Sequence, residues 1–120
     1  MVKLFIYGSL KEGFCNYNRI KPLLLEPIKK CKTTQNYILQ NCGMGWPYLH
    51  RYNGKGNIVS GELHIIPKNK LRIIDKFENN GEYYTRENIE IEIDGEIQTV
   101  QTYFSNDNIL KYKFLKEWNE

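Results

Sequence analysis

Two short stretches of this sequence carry residue types able to do proton-transfer chemistry on a small anionic substrate. The first is Tyr7-Gly8-Ser9-Leu10, which follows the apolar run from Val2 to Ile6. Gly8 lets the backbone come close to a ligand, and successive N–H groups in such a turn form a concavity that attracts carboxylates. The second is Leu71-Arg72-Ile73-Ile74-Asp75-Lys76-Phe77-Glu78. On a helix advancing about 100° per residue, with Leu71 at the origin, Ile74 falls near about 300° and Glu78 near about 340°, inside the apolar stripe. Burial there disfavours the charged carboxylate, and the negative end of the helix dipole pushes the same way. Both raise its pKa toward the range useful for an acid–base catalyst. Each stretch also has a plain structural reading. Gly8 would only let a buried strand turn, and Glu78 would reach out to water beside Asn79-Asn80-Gly81 as a helix stop.

Other reactive residue types lack partners in the sequence. His64 lies in an apolar strand and His50 near a turn, with no spacing that suits a metal. Ser9 has no G-x-S-x-G context, and Cys15 has no placed histidine. Tyr84 and Arg86 share one strand face, able to line a pocket or to pair with Glu82 or Glu87; Tyr103, on the last strand, is placed to line the same pocket.

The elements that must position these residues follow from periodicity. Residues 2–7 are apolar on both faces and read as a central strand. Residues 9–15 read as a loop, with a short helix through Asn18-Arg19-Ile20 cut by Pro22 and Pro27. Residues 28–40 suit a strand, Gly43 to Tyr48 a loop, Gly54 to Asn57 a turn, 58–66 a strand ended by Pro67, and 68–78 a helix. In residues 83–94, Ile89, Ile91 and Ile93 alternate with Asn88, Glu90, Glu92 and Asp94. Asp94-Gly95 is a two-residue hairpin signal, and Glu96 to Phe104 is the return strand. The tail from Asn108 to Trp118 is expected to dock as helical turns. Strands dominate without a regular strand–helix alternation, so the expected class is α+β. It is a small mixed domain with a curved, barrel-like, largely antiparallel sheet and few helices, one domain over residues 1–120.

Composition narrows the function. The 120 residues are 41% apolar and 26% charged, with a net charge of +3 carried by scattered lysines, thirteen against four arginines. A nucleic-acid binder concentrates its charge and favours arginine, and the Glu90/Glu92/Asp94 face argues against an RNA-binding barrel. Cys15, Cys31 and Cys42 are odd in number and show no C-x-x-C spacing, which fits a reducing cytoplasm without disulfides or zinc. The first apolar run is too short for a signal peptide or a membrane span.

Taken together the motifs resemble the gamma-glutamylcyclotransferase-like superfamily, and within it the gamma-glutamylamine cyclotransferase and avirulence-induced-protein-like branch. The likeness rests on Tyr7 to Leu10 followed by Gly13 and Asn16, on Trp46-Pro47-Tyr48-Leu49, on Val59, Gly61, Glu62 and Leu63, and on Asp75, Phe77, Glu78, Tyr84 and Arg86. It covers nearly the whole chain in order. Trp46 stands where tyrosine or phenylalanine is commoner, His64 where an aromatic is frequent, and the tail is short. The resemblance implies that Glu78 is the catalytic acid/base and that Tyr7, Gly8, Ser9 and Leu10 bind the glutamyl group; Tyr84 and Tyr103 are expected, from their strand positions, to line the substrate pocket. It implies a cofactor-independent closure of 5-oxoproline, with release of an amine, an ε-lysyl group, an amino acid or a carrier-linked product; glutathione ranks low. The expectation is a cytoplasmic, monomeric enzyme acting on a small γ-glutamyl substrate without nucleic acid, membrane, metal or cofactor. The alternative is a non-catalytic relative that binds a ligand or a protein through the same pocket.

Overall fold

A strand that is apolar on both faces needs cover on both sides, and β1 (Val2–Ile6) finds it at the centre of the sheet. The structure, a computed structural model, describes residues 1–51, 55–78 and 81–119. Around β1 stand β2 (Lys29–Asn41), β3 (Pro47–His50), β4 (Asn57–Ile66), α1 (Leu71–Phe77), β5 (Tyr84–Ile93) and β6 (Glu96–Ser105). The strand order is β3-β2-β4-β1-β6-β5, and a further pairing of β2 with β5 closes β2, β4, β1, β6 and β5 into a five-stranded barrel. Among the described residues β1 and β6 pair in parallel, and the other strand pairs are antiparallel.

Closure depends on β2, which serves β4, β5 and β3 in turn. Its register shifts between Lys32 and Asn36, and at the shift Lys32 and Thr33 pair with Glu92 and Ile91 of β5. The buried Thr33 hydroxyl fills the gap in the ladder: it accepts from the Val59 N–H at 3.0 Å and donates to the Gln35 carbonyl at 2.7 Å. A bulge of this kind bends a strand and strengthens its twist, as a small barrel requires.

Two apolar clusters result from the period-2 alternation. Phe5, Val59, Leu63, Ile89, Ile91 and Phe104 belong to the one that fills the barrel. Leu4, Ile6, Ile66 and Ile74 belong to the other, between the outer face of the sheet and α1 with the 3-10 turns Tyr17–Arg19 and Lys21–Leu23. The expected curved, largely antiparallel α+β fold is what forms. The β5–β6 hairpin turns at Asp94 and Gly95, whose φ values of 51° and 80° are the two positive angles of a tight hairpin.

Four local expectations are corrected. The region expected as a helix around Asn18 is a pair of 3-10 turns, because Pro22 cannot continue an α-helix. The helix expected over 68–78 is a 3-10 turn, Lys68–Lys70, followed by α1. The loop expected through Tyr48 ends at Pro47, where β3 begins; proline is tolerated at the first residue of an edge strand. The tail is not helical. Its backbone instead pairs with the barrel: the Leu115 N–H donates to the Leu39 carbonyl at 2.7 Å, and the Lys116 carbonyl accepts from the Ser60 N–H at 2.8 Å. A short helix is marginal by itself, and the strand edges of β2 and β4 offered the tail backbone partners instead. The expected turn at Gly54 and the Asn79-Asn80 stop lie in part outside the described residues. No helix among the described residues is long and apolar enough to cross a membrane.

Candidate active site

Glu78 caps the C-terminus of α1, and its N–H donates to the Ile74 carbonyl at 2.9 Å. Ile74 is fully buried under the sheet, so the residue one turn later is carried toward the same side. The Glu78 side chain enters a cavity of about 620 Å³. The Tyr7–Leu10 turn, Tyr84 and Tyr103 line that same cavity, so all seven residues singled out in the sequence surround one space. Glu78 is half-buried and makes no side-chain hydrogen bond among the described residues, and desolvation raises its pKa from 4.5 to about 7.

The tyrosines around it are committed donors. Tyr7 donates to the Tyr103 carbonyl at 2.6 Å, Tyr84 to the Pro47 carbonyl at 2.9 Å, Tyr103 to Asp75 Oδ1 at 2.7 Å and Tyr48 to Asp107 Oδ2 at 2.6 Å. Burial, with Tyr84 and Glu78 nearby, pushes the Tyr7 hydroxyl well above its usual range. Burial and the Glu78 charge raise Tyr84; burial and the bond to Asp75 raise Tyr103. The bond to Asp107, then burial, lifts Tyr48 to about 12. None of the four is a base near neutrality, whereas Glu78 changes charge there.

The turn is held from within. The Lys11 N–H donates to the Gly8 carbonyl and the Asn16 N–H to the Ser9 carbonyl, both at 3.0 Å, and Asn16 Nδ2 donates to Ser9 Oγ at 2.9 Å. Among the described residues the Ser9 and Leu10 N–H groups donate to no protein acceptor, which leaves them available to an anion. At Gly8 the structure supplies a reason the sequence did not: a Cβ there would lie 3.0 Å from Pro47 Cγ. The absent side chain makes room for the β3 proline that forms the opposite wall.

Arg86 pairs elsewhere than expected. Its Nε and Nη2 donate to Asp75 Oδ1 and Oδ2 at 2.9 and 3.2 Å, and its Nη1 to Gln101 at 2.8 Å; Glu87 faces Arg51 instead. With Tyr103 also on Asp75, this fork ties α1 to β5 and β6 and fixes the helix end that carries Glu78. Sequence reasoning missed the pairing because it looked along the strand rather than across to the helix. Asp107 was missed too, since nothing in the tail's pattern sets it apart.

The remaining candidates lie apart from this cavity. His64 is fully buried with Nε2 2.9 Å from Glu62 Oε1, and His50 is buried, which lowers its pKa. Among the described residues no group of three or more histidines, cysteines or carboxylates is arranged to hold a metal. A second concavity, about 440 Å³, is lined by residues of both charges, including Lys11, Lys30, Glu62 and Glu117, and contains none of the seven. Cys31 borders it, and burial pushes its thiol up to about 12, which makes it unreactive at neutrality.

Residues 4–120 match the family described as "Gamma-glutamyl cyclotransferase, AIG2-like". The chain is similar to gamma-glutamylaminecyclotransferase B of Danio rerio, 30% identical over 98% of this chain and 63% of that protein. It is also similar to gamma-glutamylaminecyclotransferase A of the same fish, 29% identical over 77% and 60%. The chain thus spans less than two-thirds of the length of these relatives. The crystal structure of an AIG2-like protein from Mus musculus superposes with a TM-score of 0.90 at 23% identity, covering 99% of this chain and 88% of that one. An uncharacterized protein from Pyrococcus horikoshii superposes with a TM-score of 0.68 at 18% identity, over 97% and 86%. At these identities the two structures support the fold.

Proposed function

Since the chain belongs to the gamma-glutamyl cyclotransferase, AIG2-like family, we propose that it is a γ-glutamylamine cyclotransferase with Glu78 as its acid/base. The reading is carried by one observation: a half-buried carboxyl, with no side-chain hydrogen bond among the described residues and raised by burial to a pKa of about 7, shares a cavity with a turn whose Ser9 and Leu10 amides donate to no acceptor among those residues. The Ser9 and Leu10 amides take the glutamyl α-carboxylate, and Tyr84 and Tyr103 wall the chain in. Glu78 as carboxylate removes a proton from the substrate's α-ammonium. The freed amine attacks the γ-carbonyl carbon, a C–N bond closes the five-membered lactam, and the original amide C–N bond breaks. Glu78 returns its proton to the departing amine, so 5-oxoproline and a free amine leave and the carboxylate is restored. The nucleophile belongs to the substrate, and the cavity's task is to fold the glutamyl group for attack.

Within this reading the protein is a single cytoplasmic domain, monomeric and cofactor-independent. It acts on a small γ-glutamyl substrate and on neither nucleic acid nor membranes. Release of 5-oxoproline from γ-glutamyl alkylamines, γ-glutamyl-ε-lysine, γ-glutamyl amino acids and glutathione tests it, with Glu78→Gln in parallel. Release by the parent and loss in the variant is expected. Equal release by both would remove Glu78 from the mechanism.

A further inference from the structure

Glu78 and the Tyr7–Leu10 turn account for the reacting half of the cavity, and its mouth has a chemistry of its own. Met44, Trp46 and Tyr83 line the cavity although they are 60%, 42% and 56% exposed, so the opening is an apolar collar. Among the described residues one carboxylate stands in that collar. Asp107 accepts from the Tyr48 hydroxyl through Oδ2 at 2.6 Å, and its N–H donates to Ser105 Oγ at 3.1 Å. Its Oδ1 accepts no hydrogen bond among the described residues. Tyr84, whose ring centroid is 6.2 Å from that of Tyr48, feels the charges of both Glu78 and Asp107, so the two carboxylates border one continuous space.

No lysine, arginine or histidine lines this cavity among the described residues. Tyr52, Asn53, Gly54, Asn79, Asn80 and Glu120, which lie outside the description, add no basic side chain. Arg19 comes near, with its guanidinium 5.0 Å from the Phe77 ring and its Nε donating to Asn16 at 3.2 Å. Those contacts hold that cation against Phe77 and against Asn16, which bonds the Ser9 hydroxyl. A leaving group that crosses the collar therefore meets apolar walls, aromatic faces and one carboxylate.

We propose that Asp107, seated on Tyr48 in this collar, selects the leaving group by its charge. Preferred substrates are γ-glutamyl amides of the diamine and polyamine class, in which a short alkyl chain carries a second ammonium. Neutral alkylamides rank next, and amides whose leaving group ends in a carboxylate rank last. The alkyl stem packs along Met44 and Trp46, and the distal ammonium meets Asp107 and the aromatic rims. This rests on the cyclotransferase reading for the reaction, but the selection itself is a matter of binding.

Three γ-glutamyl amides of nearly equal length separate the terms: those of 1,4-diaminobutane, n-pentylamine and 4-aminobutanoate. Their dissociation constants are measured by calorimetry on Glu78→Gln, and kcat/KM for 5-oxoproline release on the parent. Because Asp107 is solvent-exposed, its charge is screened. The expected effect is about threefold tighter binding for the ammonium end and about threefold weaker for the carboxylate end, relative to the methyl end. Adding Asp107→Asn should compress this roughly tenfold span to about twofold, and high salt should do the same. Equal binding of all three, tightest binding of the carboxylate end, or a span unchanged in Asp107→Asn overturns the proposal. If the order holds in binding but the parent releases no 5-oxoproline, the reaction assigned above fails and the selection stands. If all three are turned over with equal kcat/KM, the reaction stands and the selection fails. If none binds and none is turned over, both fall.

Discussion

Glu78→Gln, the substitution expected to end turnover, is also expected to make the protein more stable, and only above acid pH. Burial moves the Glu78 carboxyl from 4.5 to about 7. In a fully desolvated site that displacement corresponds to about 3 kcal/mol. The cavity is open and the side chain only half-buried, so solvent takes up part of the cost and about 1–2 kcal/mol is the expected net effect. The sign follows from where protons are lost first. Between pH 4.5 and 7 the unfolded chain releases the Glu78 proton while the folded chain holds it, so rising pH favours unfolding until the folded carboxyl has ionised as well. Stability contributed by the neutral form is whole at low pH and gone above about pH 7. Glutamine is neutral throughout, and no side-chain hydrogen bond to the described residues is lost with the carboxylate. The variant should therefore exceed the parent by about 1–2 kcal/mol at pH 8, with the advantage falling to about a quarter of that at pH 5. For a chain of this size that is roughly 4–8 °C in Tm at pH 8. Urea and thermal unfolding of both proteins at pH 5, 6, 7 and 8 measure it, with other titrations cancelling in the difference. A variant no more stable than the parent at pH 8, or an advantage that does not change with pH, would refute the buried-acid account of Glu78.

Two further outcomes are expected from the frame that holds the site. Gly61→Ala would put a Cβ 2.5 Å from the Ile6 carbonyl oxygen and 2.7 Å from the Phe5 ring; since Ile6 pairs with Glu62 in the β1–β4 ladder, it should cost about 2–3 kcal/mol in urea unfolding. A neutral result would mean that β1 and β4 separate more easily than their packing implies. Arg86→Met leaves Asp75 with the Tyr103 hydroxyl in place of a bidentate partner and should destabilise the fold by about 2 kcal/mol. In a double-mutant cycle with Asp75→Asn the two losses should couple by about 1 kcal/mol or more, and strict additivity would show that the fork does not tie α1 to the sheet.

Legibility in the sequence followed how local each signal was. The β5–β6 hairpin could be read because Ile89, Ile91 and Ile93 alternate and Asp94-Gly95 names its own turn, both properties of adjacent residues. Glu78 could be read because its place on the apolar stripe is set by Ile74 and Leu71, within two helical turns. β3 could not, since Gly43 to Tyr48 carries every loop signal and becomes strand at Pro47 only because β2 offers an edge there. The tail misled for a related reason. Its apolar residues suggested a helical face, yet Leu115 and Lys116 are held by backbone bonds to β2 and β4, which no side-chain period encodes. The sequence left Arg86 either a pocket wall or a pairing with the nearby Glu82 or Glu87, whereas the register of β5 and β6 turns it toward Asp75 on α1.

What makes the cavity chemically specific is how its other polar groups are occupied. Four tyrosine hydroxyls each donate to a fixed carbonyl or carboxylate, and Ser9 Oγ accepts from Asn16. A serine so placed, without a histidine beside it, has no base to activate it, and the tyrosines hold their protons far above neutral pH. Among the described residues Asp75 is engaged by Arg86 and Tyr103 and Asp107 by Tyr48 through one oxygen, whereas neither oxygen of the half-buried Glu78 accepts a hydrogen bond. With one carboxyl free of hydrogen bonds and no activated side-chain nucleophile among the described residues, the reaction this cavity suits is one in which the substrate attacks itself. An α-amine four bonds from its own γ-carbonyl meets that condition, and in the proposed reaction the turn amides would hold the carboxylate that keeps the two ends together.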